Sequence, residues 1–133
     1  MGSIARSSKR FPEQEWSFLN GTMKPRINIL TIGVDDLKKS LKFYRDGLGL
    51  KTQGIVGTEF EHGAVIFIDL HNGIKLALYP RKEIAWDAKV SHASPSPTEF
   101  TIGHLVKSKK EVDAVMAQAK KAGANIAKPA EDT

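Results

Sequence analysis

The sequence contains no cysteine, so disulfides, thiolate metal sites and cysteine nucleophiles are all excluded. No apolar run approaches the length of a bilayer-crossing helix. Arg6, Lys9 and Arg10 lie near the start, but no continuous apolar stretch follows them, so the opening does not read as a secretory signal. A Gly-x-Ser-x-Gly elbow, a Gly-Lys-Ser/Thr phosphate loop and a His-x-x-x-His spacing are likewise missing. These absences remove the commonest nucleophile, nucleotide and compact-metal chemistries and leave a cytoplasmic protein as the expectation.

What is present is ordinary for one domain. The 133 residues are 41% hydrophobic and 26% charged. Twenty Lys and Arg against fifteen Asp and Glu give a net charge of +5. A nucleic-acid partner would require those charges on one face with aromatics between them. They are dispersed instead: Lys38 and Lys39, Lys107, Lys109 and Lys110, Lys120 and Lys121 all lie beside or within predicted amphipathic helices. No nucleic-acid or membrane partner is therefore expected.

The chain reads as two unequal copies of one pattern. Residues 1–22, with Ser3, Ser7, Ser8, Pro12, Asn20 and Gly21, are expected to form a loosely ordered leader. In the first unit, residues 23–80, a β-branched strand is predicted at 26–34. Asp35 and Asp36 then offer a helix cap, and Leu37, Leu41, Tyr44 and Leu48 a helical stripe, with Gly47 and Gly49 as a stop. Strands follow at 51–59, 63–70 and 74–80, the last two joined by the tight-turn signal His71-Asn72-Gly73.

Residues 81–97, with Ser91, Ser94, Pro95, Ser96 and Pro97, read as a linker. The pattern then restarts in residues 98–133. A strand is predicted at 98–106, followed by a capping box at Ser108 and Glu111. Val112, Val115, Met116, Ala119 and Ala122 form a second helical stripe, closed by Gly123, and residues 124–128 could begin a strand.

Strand, helix and three strands in tandem is the βαβββ arrangement. Val34-Asp35-Asp36-Leu37 and Ser40-Leu41-Lys42-Phe43-Tyr44-Arg45-Asp46-Gly47-Leu48-Gly49-Leu50 resemble the signature V-x-D-L-x-x-S-x-x-F-Y-x-x-x-L-G of the vicinal-oxygen-chelate superfamily, which includes glyoxalases, bleomycin resistance proteins and extradiol dioxygenases. Leu76-Ala77-Leu78-Tyr79-Pro80-Arg81 and Lys128-Pro129-Ala130-Glu131-Asp132-Thr133 resemble a bacterial branch of glyoxalase-like proteins. The resemblance spans residues 26–133 and implies an α+β fold of tandem βαβββ modules, the second incomplete. It also implies further C-terminal strands that this sequence does not include, so a homodimer or strand-exchanged oligomer is expected.

The resemblance further places metal-ligand positions at Ile29, near Ala77 and at Thr101, with a fourth among the missing strands. Divalent sites of this kind use His nitrogen or carboxylate oxygen, which none of these residues supplies. No metal ligand and no cofactor is therefore expected, with a divalent metal as the alternative.

Strand alternation puts Thr101 and Leu105 on one face and Ile102, His104 and Val106 on the other, which makes His104 a core-facing residue. His62 and His71 are expected to be exposed, and His92 lies in the linker. The same alternation sends Ile29, Thr31, Phe67, Asp69, Lys75, Ala77 and Tyr79 into one cup, with Trp86 as a lid or cover. An apolar and aromatic surface with a few polar points suits a small organic ligand, and equally a filled interface. Ligand-binding candidates are Ile29, Thr31, Phe67, Asp69, Lys75, Tyr79, Trp86 and Thr101, and no catalytic residue is assigned. Three functions follow: a metal-free small-molecule binding protein, a divalent-metal-dependent lyase or dioxygenase, or a strand-exchanged structural assembly.

Overall fold

The computed structural model describes residues 23–131. Its secondary structure runs β1 (Ile29–Val34), α1 (Leu37–Leu41), a π-helical turn (Lys42–Gly47), β2 (Thr52–Val56), β3 (Val65–Asp69), β4 (Lys75–Pro80), α2 (Arg81–Ala88) and α3 (Lys109–Ala122). The four strands form one mixed sheet in the order β1-β4-β3-β2. Strands β2, β3 and β4 run antiparallel in succession, and β1 closes onto β4 in parallel. The first βαβββ module is therefore formed as the sequence pattern requires. The expected leader, residues 1–22, lies outside the described residues.

Local chemistry explains each boundary. Asp36 caps α1, its carboxylate accepting from the Lys39 amide at 3.1 Å. Between β3 and β4, Asn72 and Gly73 both adopt positive φ, 64° and 75°, and Leu70 N–H bonds Ile74 C=O at 2.9 Å. A short polar side chain and glycine are the residues that tolerate such a turn.

The main core lies between α1 and the sheet. Ile66, Ile68 and Leu78 are fully buried there, with Ile32 and Leu76 beside them. Leu37, Leu41 and Tyr44 pack onto this layer from the helix, as their spacing predicts. The stripe does not continue to Leu48, because the chain widens into the π-helical turn, where Leu48 N–H bonds Phe43 C=O five residues back. Leu50 reaches the core instead. Of the two expected stop glycines, only Gly49 takes the left-handed conformation, at φ 75°. Gly47 serves a different purpose: a Cβ there would lie 2.3 Å from the Ala122 Cβ, so its hydrogen lets α3 approach.

Two expectations fail after β4. The first half of the segment read as a linker is helix α2, which starts directly after Pro80. Every Ser and Pro that suggested a linker lies beyond it, in residues 91–97. Residues 98–106 and 124–128 form no strand. Phe100, Ile102 and Leu105 are exposed, Leu105 to 95%. A β-branched pattern states which residues could share a sheet face, but a strand exists only with a hydrogen-bonded neighbour. Among the described residues this segment has none. Helix α3 does form, capped by Ser108, which accepts from the Glu111 amide at 3.1 Å, and closed by Gly123 at φ 109°.

Candidate functional site

The sheet face turned away from α1 carries Ile29, Val56, Val65, Phe67, Ala77 and Tyr79, which pack together. Alternation along β1, β3 and β4 thus sorts the expected cup residues onto one side. Thr31 faces Ala77 across the β1–β4 ladder, and Asp69 faces Lys75 across β3–β4.

At one end of this face lies a shallow pocket of about 140 Å³, lined by Gln53, Gly54, Val56, Phe67, Asp69 and Lys75. Its rim is shaped by an irregularity in β2, whose register against β3 shifts between Thr52 and Ile55. Gly54 takes φ 90° there, and its amide donates to the Thr52 hydroxyl, which in turn donates to Phe67 C=O at 2.6 Å. A bulge of this sort bends an edge strand and re-aims its side chains. Lys75 Nζ donates to Asp69 Oδ1 at 2.7 Å, and both side chains remain about half exposed or more, so each keeps hydrogen-bonding capacity for a ligand. Asp69 is therefore paired with Lys75, and His71 stays exposed in the turn, as expected.

At the other end, α2 folds over the sheet. Ile84 packs against the Val65, Ala77 and Tyr79 cluster, and Ala85 is buried. Gly33 permits this approach, since a Cβ there would press on Arg81 and Ile84 at 3.3 Å. Arg81 anchors the helix, donating to Gly33 C=O at 3.0 Å and to Asp35 at 3.2 Å. Tyr79 is nearly fully buried, and its hydroxyl donates to the His62 carbonyl at 2.5 Å.

His62 corrects the expectation of an exposed side chain. Its ring stacks on Trp86, with centroids 3.9 Å apart and planes inclined by 14°. Its Nδ1 donates to Glu83, since a carboxylate can only accept, and Nε2 lies 3.5 Å from Glu61. Its backbone holds a positive φ of 59°. Sequence alternation could not find this contact, because His62 sits in a loop and Glu83 in a segment read as linker. His104 and Thr101 are exposed in residues that form no strand, so parity assigns neither to a face, and Thr101 does not join the sheet.

A divalent metal does not fit the side chains at the implied ligand positions. Ile29 and Ala77 lie on the correct face but carry only hydrocarbon, which has no lone pair to donate. Among the described residues no three His, Asp or Glu side chains stand together as a metal group. None of the helices is long and apolar enough to cross a membrane, among the same residues.

The Glyoxalase/Bleomycin resistance protein/Dioxygenase superfamily model matches residues 26–133, and the chain belongs to that superfamily. Among curated proteins no match is found. A glyoxalase-related enzyme from Fulvimarina pelagi is similar at 26% identity and TM-score 0.61, over 75% of this chain and 66% of that one. The present chain thus spans just under two thirds of that relative. A hypothetical protein from S. aureus gives 25% identity and TM-score 0.63, over 84% and 80% of the two chains. The fosfomycin resistance protein FosX from Listeria monocytogenes, whose mutant is complexed with Mn(II) and 1S,2S-dihydroxypropylphosphonic acid, shares the fold at 19% identity and TM-score 0.50, over 84% and 74%.

Proposed function

We propose that this chain is a small-molecule-binding protein of the glyoxalase and bleomycin-resistance type that holds an organic ligand on the sheet face away from α1 without a metal ion. One observation carries the reading. The face keeps a pocket floored by Phe67 and edged by the Asp69–Lys75 pair, while the implied metal positions Ile29 and Ala77 are hydrocarbon. Such a surface offers stacking and one charged anchor, which is recognition chemistry rather than Lewis-acid chemistry. A cytoplasmic location and the absence of a nucleic-acid partner belong to the same proposal.

The test is a ligand-observed NMR screen of small organic acids and aromatic amines against the full chain in EDTA. Binding is expected, and Lys75→Ala should weaken binding of the acids by roughly tenfold, the cost of one charge-assisted hydrogen bond. Binding that requires added Mn(II) would instead establish the alternative, a divalent-metal-dependent lyase or dioxygenase.

A second reading, strand exchange between two copies, is favoured by the exposure of Phe100, Ile102 and Leu105 in a strand-patterned segment and by the edge of β1, which has no strand beside it among the described residues. Light scattering coupled to size exclusion tests it: a dimer is expected, and a monomer at the highest soluble concentration would contradict it.

A further inference from the structure

Helix α2 is a weak helix by its own sequence. It has eight residues, where isolated helices need about 12–15 to persist. Pro80 at its N-cap offers no capping side chain, and Lys89 at its C-cap is forced to φ 58°. Among the described residues Ile84 packs on the sheet cluster and Ala85 is buried, while Trp86 is 58% exposed. Polar contacts add to this at two places along the helix. Arg81 binds Gly33 and Asp35 at the start of the helix. Glu83 and Trp86 bind the His62 ring in the middle, from a loop whose own conformation is costly at φ 59°.

Beneath the helix the sheet does not end. Val65, Ala77 and Tyr79 continue the apolar face that reaches Phe67 and the open pocket. Lys75 and Tyr79 stand four residues apart on β4, which is about 13 Å of strand. A ligand seated at Lys75 would meet Ile84 and α2 if it extended along that face.

We propose that α2 is a strap over a second, apolar half of the binding face, which opens to admit the ring of an elongated amphipathic ligand whose anionic end rests on Lys75. The proposal rests on the binding reading above and names its ligand class. The His62–Glu83 contact is the catch. Losing it raises the open fraction, and apparent affinity rises in proportion to that fraction.

The test uses the full chain, Glu83→Gln, and 8-anilinonaphthalene-1-sulfonate as an anionic aromatic probe. Hydrogen exchange followed by mass spectrometry reads the strap through the amides of Lys89 and Val90, which bond Trp86 and Ala85 carbonyls at 3.3 and 3.0 Å. Exchange there should rise about tenfold in the variant, with β3 and β4 unchanged, because one charge-assisted bond is weakened. Probe affinity should rise by a similar factor. Exchange at the wild-type rate, or equal loosening of the whole sheet, would overturn the strap, as would faster exchange with unchanged probe affinity. The exchange arm contains no ligand, so it judges the strap separately. Probe binding unaffected by Lys75→Ala would sink the anchored binding reading alone.

Discussion

Residues 29–80 and 98–122 carry the same pattern, a β-branched run followed by a capped amphipathic helix, yet only the first becomes sheet and helix together. In both units the cap forms: Asp36 accepts from Lys39, and Ser108 accepts from Glu111. In both, the helix follows. The strands part company. Ile32 is buried between α1 and the sheet, whereas Leu105 is 95% exposed. A cap is satisfied within four residues of itself, so the sequence alone determines it. A strand needs neighbours, and β1 finds β4 forty-six positions away, as in the pairing of Ile29 with Lys75.

The largest test of that contrast is a pair of truncations. Ile68→Ala, in the fully buried layer of the first unit, should cost about 2–5 kcal/mol in urea unfolding. Leu105→Ala should stay within about 0.5 kcal/mol under dilute, monomeric conditions. A comparable cost for both would mean that residues 98–106 are packed in solution.

Gly47→Ala asks how firmly the two units are joined. The new Cβ would fall 2.3 Å from that of Ala122, so α3 must shift, at a cost of about 1–3 kcal/mol. Exchange at α3 should quicken while β3 and β4 stay protected. Loss of protection throughout the sheet would show that α3 supports the first unit more than its contacts suggest.

The caps come next. Asp36→Ala and Ser108→Ala should each remove about 1 kcal/mol of local helix stability. For Asp36 that loss should appear in global unfolding, because Leu37 and Leu41 are packed on the core. For Ser108 it should appear as fraying of α3 by circular dichroism, because no residue of that helix is fully buried.

The smallest effect concerns pH. Burial against the core raises the Tyr44 phenol above its ordinary 10.0. A raised folded value means that the group's contribution to stability is present below about pH 10 and lost as pH rises through the folded value. Tyr44→Phe, which cannot ionise, should therefore show a shallower stability decline above pH 10 than the wild type. An unchanged slope would place the alkaline sensitivity elsewhere.

Much of the first module was legible because its signals are periodic or local. Alternation in 63–70 and 74–80, the Asn72-Gly73 turn and the Leu37, Leu41, Tyr44 stripe all act within a few residues. The π-helical turn was not legible, since one extra residue per turn leaves no mark in composition, and Leu50 replaces Leu48 as a result. Helix α2 was hidden for another reason: its polar sequence is held by tertiary contacts to Gly33, Asp35 and His62. Of the candidate site, alternation puts Phe67, Asp69 and Lys75 on one face together with Ile29, Thr31, Ala77 and Tyr79, but it could not foresee Gln53 and Gly54, which a bulge turns into the pocket rim. The sequence suggests Trp86 as a cover but gives no sign of its partner, the His62 ring. Thr101 depended on a strand that does not form.

Metal independence is tested most directly by native mass spectrometry with elemental analysis on protein purified without chelators. The hydrocarbon side chains of Ile29 and Ala77 predict no stoichiometric divalent ion, with any bound mass being organic and retained in EDTA. One divalent ion per chain, lost together with ligand binding on chelation, would contradict that reading.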